Sequence, residues 1–274
     1  MALPNLVLRF LTAGVAIPLL VALILWQNPL GVAAVALVAA VLSAYEFFSL
    51  TVGSSIERGF GIALCGAWVT LVYFCSQDGA LLFVAVCAIT MVSFVVHLFR
   101  PSDIAKVAAR TALSITGVFY CSLLVSVALI KQHPNGSGWV ILTISLTWLG
   151  DTFAYFAGRF LSRFVPTKLY PLVSPNKTVI GAVGGLIGSF AAALVAHFWY
   201  LPILTLVDCV LVAVPAGALG QIGDLAESLL KRSIGVKDSG RLLPGHGGLL
   251  DRVDALLFSA PYVYLYMHWI FDRR

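Results

Sequence analysis

Charged residues of both signs are concentrated in one glycine-punctuated segment of this chain, residues 223–254. Its charged residues and histidine are Asp224, Glu227, Lys231, Arg232, Lys237, Asp238, Arg241, His246, Asp251, Arg252 and Asp254. Only 11% of the 274 residues are Asp, Glu, Lys or Arg, so this density is hard to explain as a solvated surface alone. We interpret the segment as a site for an anionic substrate and at least one divalent metal.

Residues 223–232 continue an apolar run, and we expect them to extend it as a helix. At about 100° per residue, Asp224, Ser228 and Lys231 share one face of that helix, with Glu227 at its edge. A carboxylate, a hydroxyl and an ammonium group are therefore predicted to point the same way.

The next residues, 233–248, combine closely spaced glycines with Pro244, which predicts a tight, shaped loop. Glycine lets backbone N–H groups approach an anion closely, and cations such as Lys237 and Arg241 supply the countercharge. This pattern is typical of phosphate binding. Within it, His246 is predicted to contact phosphate or orient an aspartate, or else only to shape the loop.

Asp251 and Asp254 lie three residues apart where the last apolar run begins, so they project from one side of a predicted helix. The dipole at a helix N-terminus favours carboxylates there. Together with Asp224 they would form an all-oxygen site, which suits Mg²⁺ better than zinc, and a second cation is left open. For any single residue of the set, an ion pair near the surface is an equally good explanation.

The elements that position these residues are predicted to be membrane-spanning helices. Hydrophobic residues make up 60% of the chain and its mean hydropathy is +0.99, whereas soluble domains carry about 25% charged residues. Apolar runs of about 17–25 residues, long enough to cross about 30 Å of hydrocarbon, recur throughout. We predict an all-α polytopic membrane protein with about nine spans, near 6–26, 29–50, 60–76, 79–99, 111–130, 138–157, 180–199, 202–221 and 255–271.

Charge asymmetry predicts the orientation of these spans. With the amino terminus in the cytoplasm, all Lys and Arg residues except Lys131, Arg273 and Arg274 fall on the cytoplasmic side, as the positive-inside rule requires. The active site would then face the cytoplasm from the inner cell membrane. The net charge of +5 serves topology and contact with anionic membrane lipids, and nucleic acid is not expected as a partner.

The two longest predicted cytoplasmic segments, 158–179 and 222–254, both lie in the second half. We therefore divide the chain into N-terminal apolar scaffold helices, residues 1–110, and a C-terminal catalytic membrane region, residues 111–274. In the first part, Glu46 is predicted to snorkel to the membrane interface. In the second, Asp151 ends an apolar run and is expected to pair with Arg159 or Lys177, or to contact substrate.

Three stretches of the second half carry a resemblance to one enzyme family. The first two are Asp151-Thr152-x-Ala154-Tyr155-x-x-Gly158-Arg159 and Ser174-Pro175-Asn176-Lys177-Thr178-x-x-Gly181. The third is Ser228-x-Leu230-Lys231-Arg232, then after four residues Lys237-Asp238-x-Gly240, and then Leu243-Pro244-x-His246-Gly247-Gly248-Leu249-x-Asp251-Arg252-Val253-Asp254. This third stretch resembles, at every fixed position, the signature of phosphatidate cytidylyltransferases, which are also called CDP-diacylglycerol synthases.

The resemblance implies an enzyme that consumes CTP and phosphatidate, requires magnesium and releases pyrophosphate, and it suggests a homodimer. The implied metal ligands are Asp224, Asp251 and Asp254, and the predicted catalytic residues are Asp224, Asp251 and Lys231. The predicted substrate-binding residues are Asp151, Ser174, Lys177, Ser228, Arg232, Lys237, Asp238, His246 and Arg252.

We hypothesise that the phosphate of phosphatidate attacks the α-phosphorus of CTP directly, in a cleft that opens sideways to lipid as well as to the cytosol. Three alternatives stay open. A CTP-dependent kinase or transferase could act on another lipid, and a transporter could use the buried charges as a pathway. A catalytically silent scaffold is the third, because Ser162 and Ile180 depart from the family pattern.

Overall fold

The computed structural model describes residues 5–52, 54–99, 104–240, 242 and 247–273. Its helices are α1 (Asn5–Leu25), α2 (Leu30–Thr51), α3 (Ser55–Cys75), α4 (Gly79–Leu98), α5 (Ile104–Ser122), α6 (Val125–Lys131), α7 (Gly136–Leu161), α8 (Val179–Trp199), α9 (Leu206–Ser233) and α10 (Leu250–Tyr266). Two short strands, β1 (Lys168–Tyr170) and β2 (Ser174–Thr178), lie between α7 and α8, and a π-helical turn, Met267–Phe271, follows α10.

Seven helical segments within the described residues are long and apolar enough to cross a membrane. They are α2, α3, α4, α5 continued through α6, α7, α8 and α9. The predicted all-α membrane fold is confirmed by these segments. The two other predicted spans correspond to α1, of which Gly14–Leu25 is a shorter apolar helix, and to α10, which has 17 residues.

Helix boundaries depart from the hydropathy prediction where a helix continues into polar sequence. α7 runs past its predicted end at residue 157 to Leu161. α9 continues past residue 221 to Ser233, so the predicted helical extension over residues 223–232 is confirmed. The predicted span 111–130 is interrupted, because a turn at Leu123 and Leu124 separates α5 from α6.

A β-hairpin interrupts the helical pattern inside the predicted cytoplasmic segment 158–179, where no strand was expected. Its strands are antiparallel, with Lys168 opposite Thr178 and Tyr170 opposite Ser174. Thr178 then caps α8, because its side chain accepts a hydrogen bond from the backbone N–H of Gly181 at 3.1 Å. The hairpin is thus coupled directly to the start of a membrane helix.

Small residues bring α8 against α7. Added Cβ atoms at Gly184 and Gly188 would collide with α7, the first with Ala157 and the second with the Leu149 carbonyl. Close backbone approach through small residues is how membrane helices gain packing energy without a hydrophobic driving force between them. This contact holds the stretch of α7 that carries Asp151 against α8.

Two hydrophobic clusters form the interior, and α10 belongs to both. Ala260 and Val263 pack into a cluster built mainly from α7, α8 and α9. Leu250 and Leu257 pack into a second cluster built mainly from α2, α3 and α5. The N-terminus of α10, which carries two of the predicted site aspartates, is therefore positioned by the first half of the chain as well as the second.

Candidate active site

A polar cleft of about 390 Å³ lies between α7, α9, the N-terminus of α10 and the loop before α10. Its lining residues are Asp151, Asp224, Ser228, Lys231, Arg232, Lys237, Asp238, Gly247, Asp251, Arg252 and Asp254. The tertiary structure thus gathers in one place side chains that the sequence distributes over more than a hundred positions. Arg241 and His246, which were also predicted to contribute from the glycine-rich loop, lie outside the described residues.

The predicted face of α9 is present, and its side chains interact with each other. The Ser228 hydroxyl lies 3.4 Å from Asp224 Oδ1, one helical turn away. Lys231 lies three residues further along α9, and its amino group contacts Asp251 of α10, with Nζ 2.5 Å from Oδ1. Both partners of this ion pair are largely buried, with side chains 12% and 13% exposed. Ion pairs shielded in this way are screened little by solvent.

Asp251 anchors the loop that precedes it. Its Oδ2 accepts hydrogen bonds from the backbone N–H groups of Ser239 at 3.0 Å and Gly248 at 3.2 Å. A carboxylate has about four acceptor positions, and these two donors together with Lys231 occupy most of them. The aspartate therefore joins α9, the loop and α10 at a single point.

Asp224 is paired with the β-hairpin. Lys177 Nζ, on β2, lies 2.5 Å from Asp224 Oδ2, and the two side chains are 30% and 32% exposed. Asp151 interacts with both partners of this pair only at longer range. Its expected direct partner, Lys177, is thus engaged by Asp224, while the other expected partner, Arg159, contacts the Tyr155 hydroxyl at 3.5 Å.

Among the described residues predicted to bind substrate, Ser174 and Lys177 are not part of the cleft lining, whereas Arg232, Lys237 and Asp238 are. Ser174 begins β2 opposite Tyr170 and is not part of the cleft lining. Arg232 lines the cleft, and its Nε also reaches the Val173 carbonyl at 3.5 Å, which ties α9 to the hairpin. Lys237 and Asp238 lie exposed at the mouth. Arg232 and Lys177 thus connect α9 with the hairpin.

The three predicted metal ligands line the same cleft but do not form a ready metal site. Asp254 Oδ1 accepts the backbone N–H of Ala255 at 2.7 Å, and its carboxyl group experiences repulsion from Asp224 and Asp151. In the part of the chain that the structure describes, no three His, Cys, Asp or Glu side chains are grouped closely enough to hold a metal. The donor chemistry nevertheless fits an oxygen-preferring cation, because converging carboxylates need positive charge between them.

Comparison with known proteins places this architecture in a family. Residues 7–270 match the Cytidylyltransferase family. The chain belongs to the cytidylyltransferase family. This match covers nearly the whole chain, including every predicted site residue, and so it extends through the N-terminal helices, for which the sequence motifs offered no evidence.

Relatives within the cytidylyltransferase family are similar over about half of the chain. A phosphatidate cytidylyltransferase of Staphylococcus haemolyticus (strain JCSC1435) is 43% identical over 129 residues, which are 47% of this chain and 48% of the relative. One of Brucella abortus biovar 1 (strain 9-941) is 41% identical over 159 residues, 55% of each chain. The chain thus spans about half the length of the curated relatives it matches.

Two carboxylates of this cytidylyltransferase-family site were not among the predicted catalytic, substrate-binding or metal-binding residues. Glu227 is 1% exposed and contacts the Lys231 amino group, so that Lys231 lies between two carboxylates. The spacing of four residues between Glu227 and Lys231 is the signal that would have indicated this pair. A lysine held by two acids stays charged and has a fixed position.

Glu46 is the second such carboxylate, and its prediction was wrong. It does not snorkel to the membrane interface but is 2% exposed, and it accepts hydrogen bonds from the loop residue Ser239 and from the first residue of α10, Leu250. Snorkelling requires a free path to water, and the loop closes that path. No local pattern around Glu46 reveals this contact, because its partners are about two hundred residues away along the chain.

Proposed function

We propose that this chain transfers CMP from CTP to phosphatidate, forming CDP-diacylglycerol and releasing pyrophosphate. The observation that carries the proposal is the polar cleft at the end of a membrane-helix bundle, in which Lys231, Arg232 and Lys237 lie among carboxylates. Family membership and relatives named phosphatidate cytidylyltransferase agree with it. A site for two phosphate-bearing substrates needs such a mixture of cations and metal-binding acids.

The reaction needs alignment and charge neutralisation more than proton transfer. An oxygen of the phosphatidate phosphate forms a bond to the α-phosphorus of CTP, and the bond from that phosphorus to the bridging α,β-oxygen breaks, so pyrophosphate leaves with the electron pair. The attacking phosphate is already an anion at neutral pH. The basic side chains can therefore act by holding two mutually repelling anions in line.

Lys231 and Lys177 are prepared for this role in different ways. Lys231 is fixed between Glu227 and Asp251, and we assign it to a position that does not move during the reaction. Lys177 is partly exposed and bound only to Asp224 among the ion pairs of the described residues. An arriving phosphate would compete with Asp224 for Lys177 and so leave that carboxylate available.

Asp224, Asp254 and Asp251 would hold the magnesium ion. When bound, Mg²⁺ would supply charge neutralisation between the two substrates. Asp224 and Asp254 are the better placed of the three, because Asp251 already accepts hydrogen bonds from Lys231 and two backbone groups. A second cation remains part of the proposal only as an open option.

Membrane embedding suits a diacyl substrate, because moving it out of the bilayer costs about 0.8 kcal/mol per exposed methylene. We place the cleft at the cytoplasmic face of the inner membrane, with α1 and α10 completing nine crossings. Phe153 and Tyr155, which follow Asp151 on α7, are exposed side chains that support sideways access for lipid. A homodimer also remains part of the proposal.

The test uses purified protein reconstituted into lipid, with CTP labelled in its α-phosphate, phosphatidate and Mg²⁺. We expect label in a lipid that co-migrates with CDP-diacylglycerol, and one pyrophosphate released for each lipid formed. Release of CDP with no label in lipid would instead indicate a kinase. Absence of both products, with intact protein that takes up a charged solute, would favour a transporter and overturn the proposal.

A further inference from the structure

The carboxylate of Glu46 is a buried polar group in the first half of the chain. Glu46 precedes Phe47 and Phe48 on α2, which pack in the cluster built mainly from α2, α3 and α5, and 2% of its surface is exposed. Burying a carboxylate is costly unless hydrogen bonds compensate. The groups that donate hydrogen bonds to the Glu46 carboxylate therefore indicate which part of the structure it stabilises.

Both donors of Glu46 belong to the catalytic segment. Glu46 Oε2 accepts from the Ser239 hydroxyl at 3.0 Å and from the backbone N–H of Leu250 at 2.8 Å. Leu250 is the first residue of α10, so the carboxylate satisfies a free N–H group at a helix N-terminus. A negative charge at that end is also favoured by the helix dipole.

Two glycines make room for this contact. A Cβ added at Gly240 would collide with the Glu46 carboxylate, and one added at Gly248 would collide with the Ser239 hydroxyl and approach Glu46 Oε2. The backbone at Gly240 and the backbone at Gly248 therefore both lie close to the Glu46 carboxylate. These glycines serve close packing against Glu46, in addition to any role in approaching phosphate.

The same short stretch holds Asp251. Ser239 gives its hydroxyl to Glu46 and its backbone N–H to Asp251, while Leu250 precedes Asp251 directly in α10. Asp251 in turn is the partner of Lys231. Glu46 is thus connected to Asp251 in two ways, through the hydrogen bonds of Ser239 and through Leu250, which is adjacent to Asp251 in the chain.

We propose that Glu46 is a positioning residue, which holds Ser239 and Gly240 against the start of α10 and so sets the positions of Asp251 and Lys231. This inference rests on the proposed function for its kinetic consequence, but its structural consequence can be measured without that activity. It also gives the N-terminal helices a specific task in the site.

The experiment compares full-length Glu46→Leu, Glu46→Gln and Ser239→Ala with wild type in the same lipid. Glu46→Leu removes the oxygen that accepts both hydrogen bonds and is expected to lower kcat about 100-fold, as a misplacement of about 1 Å does, with a smaller change in the KM for CTP. Glu46→Gln keeps one acceptor oxygen of the same reach, so it should recover part of that loss. Ser239→Ala keeps the bond from Leu250 and should also have an intermediate kcat.

Hydrogen–deuterium exchange of peptides covering residues 236–252 supplies the readout that does not depend on turnover. We expect faster exchange there in Glu46→Leu, with the transmembrane peptides of α7 and α8 unchanged. The matched control is Glu57→Gln, which neutralises another buried carboxylate of the first half, one that is paired with Arg110 outside the site. Its kcat per folded protein and its exchange over 236–252 should match wild type.

Each outcome decides the inference. Wild-type kcat and exchange in Glu46→Leu would overturn it, as would equal losses of kcat in Glu46→Leu and Glu57→Gln. If Glu46→Leu does not fold, wild-type values in both Glu46→Gln and Ser239→Ala would overturn it. If wild type itself transfers no CMP, the proposed function fails, and the exchange comparison alone then supports or rejects the positioning role.

Discussion

Two clusters of ionised groups lie in the two halves of the chain, and they differ in what surrounds them. In the first half, Glu57 on α3 is paired with Arg110 on α5, and His97 Nε2 lies 3.7 Å from the same carboxylate. The adjoining cavity measures only about 10 Å³. In the second half, Lys231 and Asp251 border a cleft of about 390 Å³.

The volume of the adjoining cavity distinguishes an ion pair that only stabilises the fold from one that can contact a substrate. A cavity of about 10 Å³ has room for about one water molecule. No ligand larger than water can therefore enter it and compete for Glu57. The cleft can admit phosphate groups that compete for Lys177 and Lys231. Lys231 is paired there with Asp251 and Glu227, but the cleft beside the pair leaves space for a substrate phosphate. Space beside the charges, more than their burial, indicates which cluster does chemistry.

The largest effect is expected from Asp251→Asn. The change removes the charge that faces Lys231 and weakens the two backbone hydrogen bonds that hold the loop. Loss of a preorganised electrostatic group of this kind costs on the order of 10³-fold in kcat. CMP transfer in reconstituted protein measures it. Asp78→Asn is the control, because Asp78 caps α4 by accepting from Leu81 and asparagine caps equally well; equal losses in the two variants would contradict our assignment.

Lys231→Met should lower kcat about 100-fold by removing one donor to transition-state charge. It should also lower stability by about 3 kcal/mol, because Glu227 is left buried without its partner. Adding Glu227→Gln removes the second defect but not the first. We therefore expect the Lys231→Met/Glu227→Gln double variant to regain thermal stability and to stay inactive. If it recovered turnover as well as stability, Lys231 would have a structural role only, like that of Arg110 beside Glu57.

Lys177→Met is expected to raise the apparent KM for CTP or phosphatidate about tenfold, which corresponds to about 1.4 kcal/mol of binding. The pair with Asp224 is one-third exposed, so the stability of the fold should change little. Initial rates at varied concentrations of each substrate measure the effect. Lys168→Met, an exposed lysine on the other strand of the hairpin, is the control. A similar KM for both variants would mean that only the general charge of the hairpin matters.

The smallest effect on catalysis is expected from Glu57→Gln. Arg110 loses a charged partner, which costs roughly 2 kcal/mol of stability, while kcat per folded protein stays at the wild-type value. Thermal unfolding in detergent and CMP transfer, measured on one preparation, test both parts. A loss of activity without a loss of stability would break the comparison, because the enclosed cluster would then act on the site.

Much of the site was predictable from short-range patterns. The helical repeat placed Asp224, Ser228 and Lys231 on one face of α9, and the structure has them there. The prediction that this face lies near Asp251 came only from the family resemblance and from the expectation that Asp224, Asp251 and Asp254 share a metal site. The actual contact, an ion pair from Lys231 to Asp251, depends on how α9 packs against α10 and could not be obtained from either helix alone.

The sequence by itself determined the membrane class, the approximate spans and the segment that carries the charge, because hydropathy and helical periodicity act between residues close along the chain. The tertiary structure alone decided that Glu46 holds the loop before α10 and that Lys177 pairs with Asp224. It also decided that a hairpin forms and contacts α9. These contacts join residues that are distant in sequence, and they exist only once helix packing has brought their backbones together.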